Sequence, residues 1–141
     1  MEGKTLRRSF WQRILGIAAT RAPRDPACWR YDRGIVTVDL EGALEIAAPG
    51  SSVRLEGKDL PVRVLVVHGE DRKFHALHNC CGHLGRRVDL VPGSDTLQCC
   101  SVGKSRYDFT GRVLNGPATR GLHVLPVERE GNTLRIRLPH E

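Results

Sequence analysis

From about residue 34 onward, apolar side chains come in short runs bounded by turn formers, the pattern of a sheet protein with brief strands. Ile35-Val36-Thr37-Val38 opens the series, followed by Ala43 to Ala47 and Ser52-Val53-Arg54-Leu55. Val62 to Val67 is the strongest run and mixes alternation with a fully apolar end. Phe74 to Leu77, Leu97-Gln98, Tyr107-Asp108-Phe109, Leu122 to Val127 and Thr133 to Leu138 complete the expected strands. Gly57, Gly69-Glu70-Asp71, Pro92-Gly93-Ser94-Asp95, Gly111 and Gly131-Asn132 supply the turns between them. Strands this short and this regularly punctuated predict an all-β fold, an antiparallel β-sandwich or partly open barrel.

The first residues follow a different period. Leu6, Phe10, Ile14 and Ile17 recur at helical spacing and predict a short amphipathic helix, basic through Arg7, Arg8, Arg13 and Arg21. Ala22-Pro23-Arg24-Asp25-Pro26 then reads as a breaker-rich linker. The expected division is a helix and linker over 1–32 and a sheet domain over 33–141, with Trp11 and Trp29 anchoring the first segment onto the second. No apolar stretch reaches the roughly 20 residues needed to span a bilayer, so no transmembrane segment is expected. Arg7-Arg8-Ser9-Phe10 is similar to a twin-arginine export signal, but the apolar stretch from Ile14 to Ala19 is brief and no small-residue cleavage site follows. A cytoplasmic location is the expectation, with export the alternative.

Composition narrows the function classes. The 141 residues suit one domain with one core. A net charge of +6 raises the question of nucleic acid, yet the basic residues form no group with aromatic or base-reading partners, which argues against it. Five cysteines are an odd number, and four stand as the adjacent pairs Cys80-Cys81 and Cys99-Cys100. Clustering of this kind points to metal ligation or redox thiols rather than a disulfide framework. Cys28 stands apart and reads as a small buried apolar side chain.

Two loops carry the candidate chemistry: Cys81-Gly82-His83 and Cys99-Cys100-Ser101-Val102-Gly103. Soft ligands presented on two loops of a β scaffold suit a small iron–sulfur cluster. A zinc site built from Cys81, His83, Cys99 and Cys100 draws on the same donors. Side chains of adjacent residues diverge in extended backbone, so using Cys99 together with Cys100 strains either metal solution.

Residues 43 to 138 resemble a Rieske-type [2Fe-2S] domain. Phe74-His75-Ala76-Leu77-His78-Asn79 resembles that family's approach to its first ligand loop, and Cys81-Gly82-His83-Leu84-Gly85 its Cys-x-His-x-Gly motif. Ser105-Arg106-Tyr107-Asp108 resembles the close of its Cys-x-x-His-Gly motif, which sets Cys100 on the second cysteine and Gly103 where the second histidine would stand. The stretch from Gly111 to Ala118 resembles the proline-containing loop that shields the cluster, and Leu125-Pro126-Val127 the returning strand. The resemblance implies a [2Fe-2S] cluster with Cys81, His83 and Cys100 as ligands, and Ser105 and Tyr107 as donors that tune it. Replacing thiolates by neutral imidazoles raises the reduction potential of such a cluster by roughly several hundred millivolts over all-cysteine ligation. The fourth position has three solutions: Cys99 substitutes, water or an external ligand completes the iron, or no cluster binds. The pattern weighs towards a modified metal site.

The function implied is that of a small one-electron carrier, similar to Rieske ferredoxins, working with a redox partner protein such as a reductase or an oxygenase. No G-x-G-x-x-G run opens a helix, and a stand-alone enzyme is not expected. The alternatives are a cluster-free Rieske-like module that docks on or positions a redox partner, and a thiol-based redox sensor using Cys80 and Cys99. Among the other histidines, His75 and His78 read as surface or packing residues, His68 and His140 as exposed, and His123 as structural within a strand. Lys104, beside the vacant ligand position, reads as a solvated side chain.

Overall fold

The structure is a computed structural model, and it describes residues 20–80, 87–91, 94–99, 105–116 and 120–139. Three antiparallel sheets account for most of it. Sheet A is ordered β1 (Trp29–Asp32), β2 (Ile35–Asp39), β12 (Thr133–Arg137), β11 (Val127–Glu130). Sheet B is ordered β10 (Val124–Leu125), β5 (Phe74–His78), β4 (Val64–His68), β3 (Ser51–Leu55). Sheet C is ordered β6 (Val88–Leu90), β7 (Thr96–Cys99), β8 (Arg106–Asp108), β9 (Val113–Asn115). The expected all-β class holds, and the sheets do not close into a barrel.

Alternation along β4 explains how three sheets share two cores. Val64 and Val66 join Val36, Val38, Val53, Leu55, Leu134 and Ile136 in one apolar cluster. Leu65 and Val67 join Leu77, Val88, Leu97 and Tyr107 in a second. Successive strand residues point to opposite faces, so sheet B contributes to both clusters. Every residue of β4 is buried, in keeping with its unbroken apolar run from Val64 to Val67.

The turns follow local chemistry. Arg33 and Gly34 both adopt positive φ, 49° and 83°, between the paired residues Asp32 and Ile35. Two left-handed residues make a hairpin turn whose twist matches its strands, and glycine removes half the steric cost. Sheet A thus begins at Trp29, inside the stretch expected as linker. Trp29 is a core residue, and the Lys58 ammonium lies 4.4 Å from its ring centroid. The expected N-terminal helix and Trp11 lie outside the described residues.

Two expectations about this part of the fold need correction. Ala43 to Ala47 is not a strand but a 3-10 turn at Leu44–Ile46. The amides of Gly42 and Ala43 both bond back to the Asp39 carbonyl, which curls the chain, and only Ala43 and Ile46 are buried while Leu44 is 71% exposed. His68, expected at the surface, is buried: its Nδ1 lies 2.9 Å from the Ile46 carbonyl and its ring stacks on Phe74 at 4.3 Å. The apolar run that places β4 between two cores carries this histidine inward with it.

Candidate iron–sulfur site

Both candidate loops are rooted in sheet C and its junction with sheet B. Asn79, the residue after β5, is fully buried and holds both roots of the first loop. Its amide donates to the Arg63 carbonyl at 2.8 Å, and its own carbonyl accepts from Arg63 Nε at 3.0 Å. Its Oδ1 accepts the Val88 amide at 2.7 Å, so the chain leaving at residue 80 and the chain returning at 87 are tied together. Asn79 Nδ2 is buried with no hydrogen-bond partner among the described residues.

The second loop is rooted beside the first. Val88 pairs with Cys99 across β6 and β7, and the Cys99 amide donates to the Ser105 carbonyl at 2.8 Å, closing the loop that β7 and β8 carry. The stretch after β9 approaches the same place. Gly116 has φ +97°, and a Cβ there would stand 2.5 Å from Ser105 Cα, closer than any side chain permits. Asn79, Val88, Cys99, Ser105 and Gly116 therefore bring the roots of three loops into one contiguous patch.

Of the sequence-predicted site residues, Cys81, His83 and Cys100 lie outside the described residues, as does Gly103. Cys99 is fully buried in the second apolar cluster, in which Leu97 also packs. Cys80 is half-buried. Ser105 and Tyr107 are buried, Ser105 at the closing root of the second loop and Tyr107 in the second cluster. Among the described residues no three His, Cys, Asp or Glu side chains group as a metal site. His75 lies away from the loop roots, with its Nε2 2.9 Å from Asp71 Oδ2 and its ring against Phe109 at 4.6 Å. His123, expected as structural within a strand, is instead exposed just before β10, held through its carbonyl, which accepts the His78 amide at 2.8 Å. His140 and Lys104 lie outside the described residues.

A polar row flanks the first loop, formed by Glu56 after β3, Arg63 before β4, His78 closing β5 and His123 before β10. The register Leu55–Val64–His78 shows that all four stand at one end of sheet B. Arg87 reaches Glu56 with two parallel bonds, Nε to Oε2 at 2.7 Å and Nη2 to Oε1 at 2.8 Å, and Arg54 lies 3.9 Å from the same carboxylate. The Arg87 hydrogen bonds, with the charges of Arg87, Arg54 and Arg63, hold the Glu56 carboxyl below its ordinary value. Burial, then the Arg63 and His123 charges, push the His78 imidazole below its own.

Two cysteines and a histidine on adjoining loops are the soft and borderline donors that an iron–sulfur cluster takes, and loops rooted in one patch can share a centre. A buried, unpaired amide donor at the first root is a further sign of a group that accepts hydrogen bonds there. The donor set fits a cluster at three of its four ligand positions, with Gly103 standing where the family motif has its second histidine.

These features define an all-β domain that carries cysteine- and histidine-bearing loops on a subsidiary sheet. The Rieske [2Fe-2S] domain model matches residues 38–126, more than half of the chain, and the chain belongs to that family. It is 30% identical over 100 residues to the cytochrome b6-f complex iron-sulfur subunit of Prochlorococcus marinus (strain NATL1A), covering 70% of this chain and 56% of that one. The same subunit of Synechococcus sp. (strain CC9605) is 34% identical over 73 residues, 51% of this chain and 40% of that one. The chain spans about half the length of these curated relatives. Among solved structures, the cyanobacterial plasma membrane Rieske protein from Synechocystis PCC 6803 superposes with TM-score 0.50 at 27% identity, covering 60% of this chain and 85% of that one. A chain of the oxygenase–ferredoxin complex of carbazole 1,9a-dioxygenase gives TM-score 0.63 at 18% identity, covering 78% and 98%, a likeness of fold.

Sequence reading missed Asn79 as a clamp, the Glu56–Arg87 pair and the close approach of Gly116. An asparagine directly before paired cysteines, with a short apolar run nine residues on, was the available signal for the first. The other two depend on contacts between distant segments that no local pattern encodes.

Proposed function

We propose that the protein is a one-electron carrier that holds a [2Fe-2S] cluster through Cys81, His83 and Cys100. The observation that carries this reading is the convergence of loop roots at Asn79, Val88, Cys99 and Ser105, which lets ligands from two loops meet. When bound, such a cluster supplies reversible one-electron transfer. The chain's own part is to fix the loops, keep their bases dry and offer a face to a redox partner, a reductase or an oxygenase. Cys99 remains the chain's internal candidate for the fourth position. Its burial among apolar side chains favours water or another external ligand there instead, because a ligating thiolate would have to leave the second apolar cluster.

The absence of a histidine at Gly103 supports a second reading, a cluster-free module that positions a partner. Iron and acid-labile sulfide assays on freshly isolated, anaerobically handled protein separate the two. The carrier reading expects about two irons and two sulfides per chain with visible absorption. Colourless protein that takes up neither iron nor sulfide on reconstitution overturns it.

A further inference from the structure

The polar row at the loop end of sheet B carries more positive than negative charge. Around the single Glu56 carboxylate stand Arg54, Arg63 and Arg87, and the row continues through His78 to His123. Arg63 and Arg87 also belong to the first loop's frame, Arg63 through its bond to the Asn79 carbonyl and Arg87 as the residue that follows the loop. The side chains of Arg54 and Arg87 are each 32% exposed, and His123 is exposed. A cationic rim therefore borders the very loop that carries Cys81 and His83.

We propose that this rim, in which Arg54, Arg63 and Arg87 carry the charge and His78 and His123 add imidazole hydrogen-bonding groups, is a docking surface for the acidic face of a partner protein. The inference deepens the carrier reading by naming the charge of the partner. Opposite charges across an interface speed encounter and fix orientation more than they add affinity, which is what a transient redox contact requires. A protein partner fits better than a polyanion. Nucleic acid and anionic membranes reward an unbroken track of cations. Here Glu56 interrupts the track and holds the Arg87 guanidinium through two hydrogen bonds, a geometry suited to a few discrete carboxylates.

The test is binding of the whole chain to a strongly acidic plant-type ferredoxin, measured calorimetrically at about 20 mM and about 200 mM salt. Binding should weaken steeply as salt rises. The double variant Arg54→Glu/His123→Glu should bind about tenfold more weakly. Arg30→Glu/Arg135→Glu removes the same arginine charge and one more on the outer face of sheet A, where both residues pair with Thr37, and should change binding less than about twofold. Circular dichroism melts confirm that each variant is folded. Equal loss in both double variants, or no binding at low salt, overturns the proposal. So does tighter, rim-dependent capture of phosphatidylglycerol vesicles or duplex DNA than of the acidic protein. Because electron transfer is not the readout, protein that lacks iron yet binds through the rim sinks the carrier reading alone.

Discussion

The side-chain carbonyl of Asn79 accepts the backbone amide of Val88 at 2.7 Å, and this bond joins the two ends of the 81–86 loop. Both residues are buried, so the contact is sheltered from water. Val88 in turn pairs with Cys99, which closes the second loop through Ser105. Asn79 thus ties the ends of the first candidate loop, and the pairing of Val88 with Cys99 sets the second beside it.

Replacing it should be costly. Asn79→Leu leaves the Val88 amide buried without its acceptor, a loss of about 1–3 kcal/mol in urea unfolding. Iron retained after gel filtration should fall with it. Asn79→Asp keeps an acceptor in place and should lose less stability than the leucine variant. Equal losses for the two would show that the bond to Val88 is not what matters.

Acid should act through Glu56. Its carboxyl titrates lower in the folded protein, first through the Arg87 hydrogen bonds and then through the surrounding arginine charges. The folded state therefore binds fewer protons than the unfolded chain as pH drops past the ordinary carboxylate value of 4.5. Stability from this group is complete above that value and is lost as pH falls through the folded pKa. Urea midpoints measured against pH should decline less steeply in Glu56→Gln than in the parent over that range.

Gly116→Ala should destabilise more than Gly34→Ala. Both positions have positive φ, but a Cβ at Gly34 meets nothing within 4 Å, whereas at Gly116 it would strike the Ser105 backbone. The first change costs about 1 kcal/mol of backbone strain. The second adds a clash that the second loop can relieve only by moving, and should cost at least ~2 kcal/mol. Thermal melts of the two variants provide the comparison.

Gly103→His places an imidazole three residues after Cys100, where the family motif has its second histidine. The expected result is more iron and sulfide retained per chain and a higher midpoint in spectroelectrochemical titration. Unchanged retention would argue that Cys100 and Gly103 do not occupy those motif positions.

The sheet scaffold was largely legible because its signals are local. Val64 to His68 shows its burial in composition, and the Gly131-Asn132 turn announces the hairpin between β11 and β12. Trp29–Asp32, Val88–Leu90 and Val113–Asn115 were harder to see. They span three or four residues, too few for alternation to stand out, and each is a strand because of its neighbours. His68 misled in the same way: beside a Gly-Glu-Asp turn it looks solvated, yet its imidazole lies against the Ile46 carbonyl. The candidate ligands follow from the resemblance of their motifs to those of the family. The contacts that hold their loops link residues 9 to 31 positions apart, beyond the reach of any periodicity.

Leu77 in β5 pairs with Val124 in β10, and the amide of His78 bonds the carbonyl of His123. Everything from Asn79 to Leu122, sheet C and the cysteine loops included, is thus an excursion between two neighbouring strands. The segment that carries the candidate loops is a cassette inserted into a hairpin of the body formed by sheets A and B. Excising it with a short turn should leave that body's connectivity whole, but Leu65, Val67 and Leu77 would then face water as a bare greasy stripe. The cassette and its host are separable on paper and mutually dependent in solution.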